Sequence, residues 1–257
     1  MGDFALLAAA GLGVGVIVGL TGVGAGSVMT PMLIAGFGIP APVAVGTDLA
    51  CAAVTKTAGT LAHRASRNVV GRVVVLLAAG SVPATLVTLA LIAVSGASST
   101  DLARVMRVGI AITLVTSIAM LLLRAPLERR LARQRRVGGR FRSLATVGVG
   151  AVIGSAVALT SLGAGAIGAA CIALLHPDLD PREIAGSDIA HAVPLTAIAA
   201  AGHVWLGTVD GALLAALVAG ALPGIVAGSL LTRSVPPSVL RALLVCTLAF
   251  AVVKLLA

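Results

Sequence analysis

Six ionisable residues stand inside long apolar stretches of this sequence: Asp48, Lys56, His63, Asp188, His191 and His203. A charge in hydrocarbon without compensation costs several kcal/mol, so such residues face a cavity or a partner. Asp48 and Lys56 lie eight residues apart. On a helix that is about 80° around and about 12 Å along the axis, too far for a direct pair. Lys56 has no local counter-ion and suits either attraction of an anion or pairing with a distant carboxylate. Asp48 follows Gly46-Thr47, and Asp188 follows Gly186-Ser187. Each aspartate reads either as a first-turn carboxylate held by the helix dipole or as a proton-coupling or gating group. His191, one turn from Asp188, could share a proton with it, because imidazole titrates near neutral pH. His63 and His203 end their segments, where a cationic ring suits a helix C-terminus or a gate.

Beside these charges lie two glycine-rich breaks, Gly22-Val23-Gly24-Ala25-Gly26-Ser27 and Leu162-Gly163-Ala164-Gly165. Glycine costs roughly 1 kcal/mol against alanine in a helix interior, so both stretches favour interruption. A half-helix that starts after such a break leaves its first N–H groups unpaired, with about half a positive charge, and can receive an anion. The expected substrate-binding set is Thr21, Gly22, Gly24, Gly26, Ser27, Lys56, Thr160, Ser161, Gly163 and Gly165, with Thr30 nearby. The competing explanation is that the glycines only let helices cross closely.

The elements that must position these residues are apolar and long. Hydrophobic residues make up 59% of the 257 and charged residues 11%, with a mean hydropathy of +1.12. Soluble domains carry about 25% charged residues, so the chain reads as an all-α polytopic membrane protein. Apolar segments run over 4–20, 27–37, 43–62, 69–95 and 101–123, then 143–160, 166–175, 184–203, 208–232 and 238–256. A crossing needs about 20 helical residues, so 27–37 and 166–175 are too short and read as half-helices or re-entrant segments. Four Phe, one Trp and no Tyr leave no aromatic belt, so helix contacts rest on Ala, Gly, Val and Leu. Met1 to Ala10 has no Lys or Arg and is taken as the start of the first span.

The two lists of segments correspond. Gly46-Thr47-Asp48 matches Gly186-Ser187-Asp188, His63 matches His203, Gly71 matches Gly211, and Gly80 with Pro83 matches Gly220 with Pro223, all at an offset of 140. The expected organisation is therefore a first transmembrane repeat over 1–123, a basic linker over 124–142 and a second repeat over 143–257. Each pseudo-symmetric repeat holds about four transmembrane helices plus one short broken or re-entrant segment. Arg124, Arg129, Arg130, Arg133, Arg135, Arg136, Arg140 and Arg142 place the linker on the cytoplasmic side. Arg64, Arg67 and Arg72 mark a second basic loop, whereas 203–211 has no Lys or Arg. That asymmetry favours inverted over parallel repeats. Repeats of this kind usually build transporters with the site between the halves.

The net charge of +9 comes largely from the linker, which fits lipid headgroups better than nucleic acid. Cys51, Cys171 and Cys246 are widely spaced in apolar stretches, and neither a metal nor a cofactor pattern is present. An intramembrane serine hydrolase using Ser27 would need a positioned base that the spacing does not supply. A metal-ion carrier is disfavoured by scattered His and Asp, and a passive anion channel is the main alternative to a carrier.

The Gly-rich break, the Gly-Thr-Asp and Gly-Ser-Asp pair, the twin histidines and the segment layout resemble the sulfite exporter TauE/SafE family, from about Val14 to the C-terminus. The resemblance implies a bacterial inner-membrane carrier, not an enzyme, that exports sulfite, organosulfonates or related carboxylate anions by secondary transport. It implies as partners a small anion, the bilayer and a coupling ion, with a proton the expected one and a homodimer one possible assembly. The second break has Ala166-Ile167 in place of Ser27-Val28, a departure from strict symmetry in the anion site.

Overall fold

The computed structural model describes residues 2–21, 26–65, 68–96, 98–131, 139–231 and 235–256. They form ten helices and no strand among the described residues: α1 (Gly2–Thr21), α2 (Gly26–Phe37), α3 (Ala41–Ala65), α4 (Gly71–Val94), α5 (Ser99–Leu131), α6 (Gly139–Thr160), α7 (Ala166–Leu175), α8 (Pro181–Trp205), α9 (Gly211–Leu231) and α10 (Pro237–Leu256). Six of them are long and apolar enough to cross a membrane among the described residues: α1, α4, α5, α6, α8 and α9. The short segments expected at 27–37 and 166–175 are α2 and α7. Bounds differ by a few residues at several helices and most at the linker, where α5 continues to Leu131 and α6 begins at Gly139, so helix reaches into the stretch expected to be linker.

Packing between the halves is reciprocal. α1 lies on α9, α4 lies on α6, and α3 and α8 cross at the centre. α2 rests on α10 as α7 rests on α5. Glycine makes the two outer crossings close. Gly11, Gly15 and Gly19 of α1 press on the α9 backbone from Leu217 to Ser229, and Gly220, Gly224 and Gly228 press back. In the corresponding crossing Gly80 of α4 meets the backbone of Val147 and Ala151, while Gly150 and Gly154 of α6 meet Leu77 and Ser81. Without a Cβ, backbones approach until dispersion and weak polar contacts hold them, which is how helices associate in lipid. The outward faces carry Val75, Leu86, Ile112, Val152, Leu230 and Phe250, all exposed, as a lipid-facing surface requires.

The start of α3 meets the segment after α8, since Gly46 abuts Thr208; the start of α8 meets the segment after α3, since Gly186 abuts Asn68. The equivalent helices α3 and α8 therefore run antiparallel. That arrangement fits an inverted repeat, as the arginine asymmetry suggests. Both α1 and α3 then run away from the end where α8 finishes, and α2 leads the chain back.

Candidate functional site

Each letter of the duplicated Gly-Thr/Ser-Asp motif has a separate task. The glycines admit the neighbouring loop, because a Cβ on Gly46 would strike the Thr208 carbonyl and one on Gly186 the Asn68 carbonyl. The hydroxyls hold the loops. Thr47 Oγ1 accepts from the Asp210 N–H at 3.1 Å, and Ser187 Oγ accepts from the Val70 N–H at 2.9 Å. Both acceptors latch the loop that opens a helix of the opposite half. The aspartates turn inward, about two turns inside their helices rather than at the ends. The first-turn reading is thereby corrected, since the residue that caps α8 is Asp180, whose N–H is accepted by Glu183 Oε2 at 2.9 Å. Segments starting at 43 and 184 put both aspartates near a helix start, whereas α3 begins at Ala41 and α8 at Pro181.

Asp48 joins the two interrupted segments. Its Oδ2 accepts from Thr30 Oγ1 of α2 and from Ser161 Oγ at the second break, both at 2.7 Å. Gly26, the first residue of α2, lies against the Ser161 carbonyl, where a Cβ would not fit. The breaks of the two halves thus touch. Ser161 has φ 59°, Gly163 φ 118° and Gly165 φ 147°. The left-handed backbone suits the two glycines and strains Ser161, as residues at functional sites are often strained. Thr160 Oγ1 donates to Ala156 O at 2.6 Å and accepts from the Leu162 N–H at 3.1 Å, so it caps the broken end. Thr21 likewise donates to Ile17 O at 2.7 Å, within α1. Ser27 is buried on α2. Gly22 and Gly24 lie outside the described residues.

Lys56 reaches across from α3 to the second break, with Nζ donating to Ala164 O at 3.1 Å. Asp188 and Asp48 are both within electrostatic reach of this ammonium, and no direct ion pair joins it to either. Asp188 Oδ1 packs on Gly168, in the first turn of α7, where a Cβ would occupy the same space. A carboxylate thus lies against the first turn of α7, and the other reaches α2 one turn in, at Thr30. Three side-chain atoms are buried without a partner among the described residues: Asp48 Oδ1, Asp188 Oδ1 and His191 Nδ1. All belong to residues within electrostatic reach of Lys56. A buried polar atom without a partner costs about 1–3 kcal/mol, so three on residues near one ammonium make this cluster the candidate site.

The histidines separate. His191 Nε2 lies 2.8 Å from Ser81 Oγ of α4, in the same polar cluster. His203 is fully buried, with Nε2 2.9 Å from Ala158 O and Nδ1 2.8 Å from Thr208 Oγ1. A carbonyl only accepts, so Nε2 carries the proton, and the ring holds the post-α8 loop against Gly46 rather than standing free at a helix end. The His63 side chain lies outside the described residues. Sequence reasoning missed Ser81, Gly168 and Ala164, whose polar or small atoms matter only through partners on distant helices. It also missed His176, whose Nε2 lies 3.0 Å from Thr146 Oγ1.

The sequence profile described as "Sulfite exporter TauE/SafE" matches residues 7–255, nearly the whole chain. The protein belongs to the TauE/SafE family. A TauE/SafE chain with this cluster is also 32% identical over 233 residues to the "Probable membrane transporter protein YjnA" of Bacillus subtilis (strain 168), a match covering 90% of this chain and 91% of that relative. No solved structure matches the chain. As a TauE/SafE member it is a multi-pass membrane transporter.

Proposed function

We propose that this transporter is a secondary carrier, and not an enzyme, that exports small sulfur-containing or carboxylate anions such as sulfite or organosulfonates across the bacterial inner membrane, coupled to an ion. The observation that carries the reading is the reach of Lys56 from one half to the interrupted backbone of the other, with buried carboxylates nearby and no direct ion pair. An ammonium held by a single carbonyl can exchange that carbonyl for an oxyanion, and a charge-assisted contact is roughly twice as strong as a neutral one. Ser161 and the glycines of the second break supply the polar backbone around it. The sulfur comes from the family, and the arginine-rich stretch 124–142 supports a cytoplasmic position for that side. Access would alternate as one half rocks against the other about α3 and α8.

The test is calorimetry on detergent-purified protein with sulfite and with methanesulfonate. Lys56→Ala should weaken binding several-fold while the protein remains monodisperse. Unchanged affinity would remove Lys56 from the site.

A further inference from the structure

Asp48 and Asp188 occupy equivalent positions in unlike surroundings. Thr30 and Ser161 both donate to Asp48, one hydroxyl from each half. The residues of the second half that correspond to Ser27 and Thr30 are Ala166 and Ala169, so α7 offers Asp188 no hydroxyl. Asp188 is 4% exposed, and its Oδ1 stands without a partner against Gly168. One turn along α8, His191 Nδ1 is also unpartnered. Lys56 of α3 and Cys171 of α7 are within electrostatic reach of Asp188, and the other titratable groups on α3 near them and on its own helix are Asp48, Cys51 and His191. α4 contributes the uncharged Ser81. The arginines of α4 and α6, Arg72, Arg140 and Arg142, sit in the first turns of those helices.

We propose that Asp188, and not its equivalent Asp48, takes up the proton that travels with the anion, and that its protonation frees Lys56 to hold that anion. The inference rests on the transport reading above. Two donors commit Asp48 to joining the breaks, whereas nothing commits Asp188. A proton on Asp188 gives its buried carboxyl a donor, which the unpartnered His191 Nδ1 or an entering oxyanion can accept. Charge balance supplies the coupling. Ionised Asp188 helps to offset the Lys56 ammonium, and a protonated Asp188 leaves that ammonium to be offset by an anion. Proton and anion then cross together without adding a bare charge to an apolar interior. The carboxylate takes its proton from water on one side and returns it to water on the other, and no covalent bond in the protein changes.

The experiment uses proteoliposomes of the full chain, a pH-sensitive dye inside and an imposed gradient of methanesulfonate, which stays ionised throughout. In the wild type, anion entry should acidify the lumen at a fixed proton-to-anion ratio. Asp188→Asn should retain exchange of the anion while the dye signal falls at least tenfold and the flux loses its pH dependence. Asp48→Asn should slow the flux and keep the ratio, and Asp188→Glu should restore the signal with a displaced pH midpoint. A wild-type ratio in Asp188→Asn, or loss of the ratio in Asp48→Asn, overturns the proposal. Should Asp188→Asn not fold, an unmoved midpoint in Asp188→Glu overturns it as well. Wild-type vesicles that move no sulfonate overturn both this inference and the transport reading; moved sulfonate with an unaltered ratio in Asp188→Asn overturns this inference alone.

Discussion

Gly26 and Gly168 show how little space is left around the two breaks. A methyl group on Gly26 would enter the Ser161 carbonyl, and one on Gly168 would enter Asp188. Overpacking of this kind costs about 1–3 kcal/mol. Gly168→Ala should therefore lower the melting temperature and slow anion flux together, because the side chain that must yield is Asp188 itself. A melting temperature and flux equal to wild type would show that Asp188 is not confined there. Ser161→Ala is a gentler change. It removes one of two donors from Asp48 and should cost about 1 kcal/mol, read as a modest shift in thermal unfolding. Neither glycine declares this role in the sequence, where Gly168 is one small residue in a run of them.

At the level of elements, the α1–α9 crossing is the purest case of glycine used for proximity. Gly15 lies against the backbone of Ala221 and Gly224. Gly15→Leu should separate the pair and reduce folded yield in detergent sharply, while Gly13→Leu, which faces open space, should be tolerated. Equal yields for the two variants would contradict the close crossing. A second element-level link ties the loop before α8 to α6. His176 is buried with its ring on Thr146, and Arg142 pairs with Asp178 at 2.7 Å. Burial, and then the Arg142 charge, hold the His176 pKa below its usual value. The unfolded chain then binds a proton at higher pH than the folded one does. The contribution is complete above the usual histidine pKa and is lost as pH falls below it toward the lower folded value. Thermal unfolding followed from neutral pH downward should show stability falling with acid, and His176→Gln should flatten the slope. A slope unaltered by the substitution would assign the acid sensitivity elsewhere.

Across the whole molecule, the Thr47 and Ser187 latches sit at opposite ends of the antiparallel pair α3 and α8. Thr47 holds the loop that opens α9, and Ser187 holds the loop that opens α4. In the proposed rocking of one half against the other, loosening one latch should favour opening toward one side and loosening the other should favour the opposite side. Thr47→Ala and Ser187→Ala should thus change the labelling of a cysteine introduced near Lys56 in opposite senses when a membrane-impermeant maleimide is applied from one face. Changes of the same sign in both variants would argue against inverted halves that rock about this pair.

Much of this architecture was legible from one sequence. Apolar length fixed the crossing helices, since backbone in hydrocarbon must satisfy its own hydrogen bonds. Composition and spacing placed α2 and α7, and the offset of 140 pointed to a duplication that the reciprocal packing fits. Glycine content announced close crossings without saying which helices would meet. What only the tertiary structure decided was which distant groups share a polar centre. Lys56 meets Ala164, Asp48 gathers Thr30 and Ser161, Asp188 lies on Gly168, and His191 meets Ser81. Periodicity describes one helix at a time, and these contacts each join two elements whose relative height and rotation depend on every crossing in the bundle. The unequal standing of the two aspartates has the same origin. Their sequence surroundings are nearly alike, and the hydroxyls that distinguish them come from other segments.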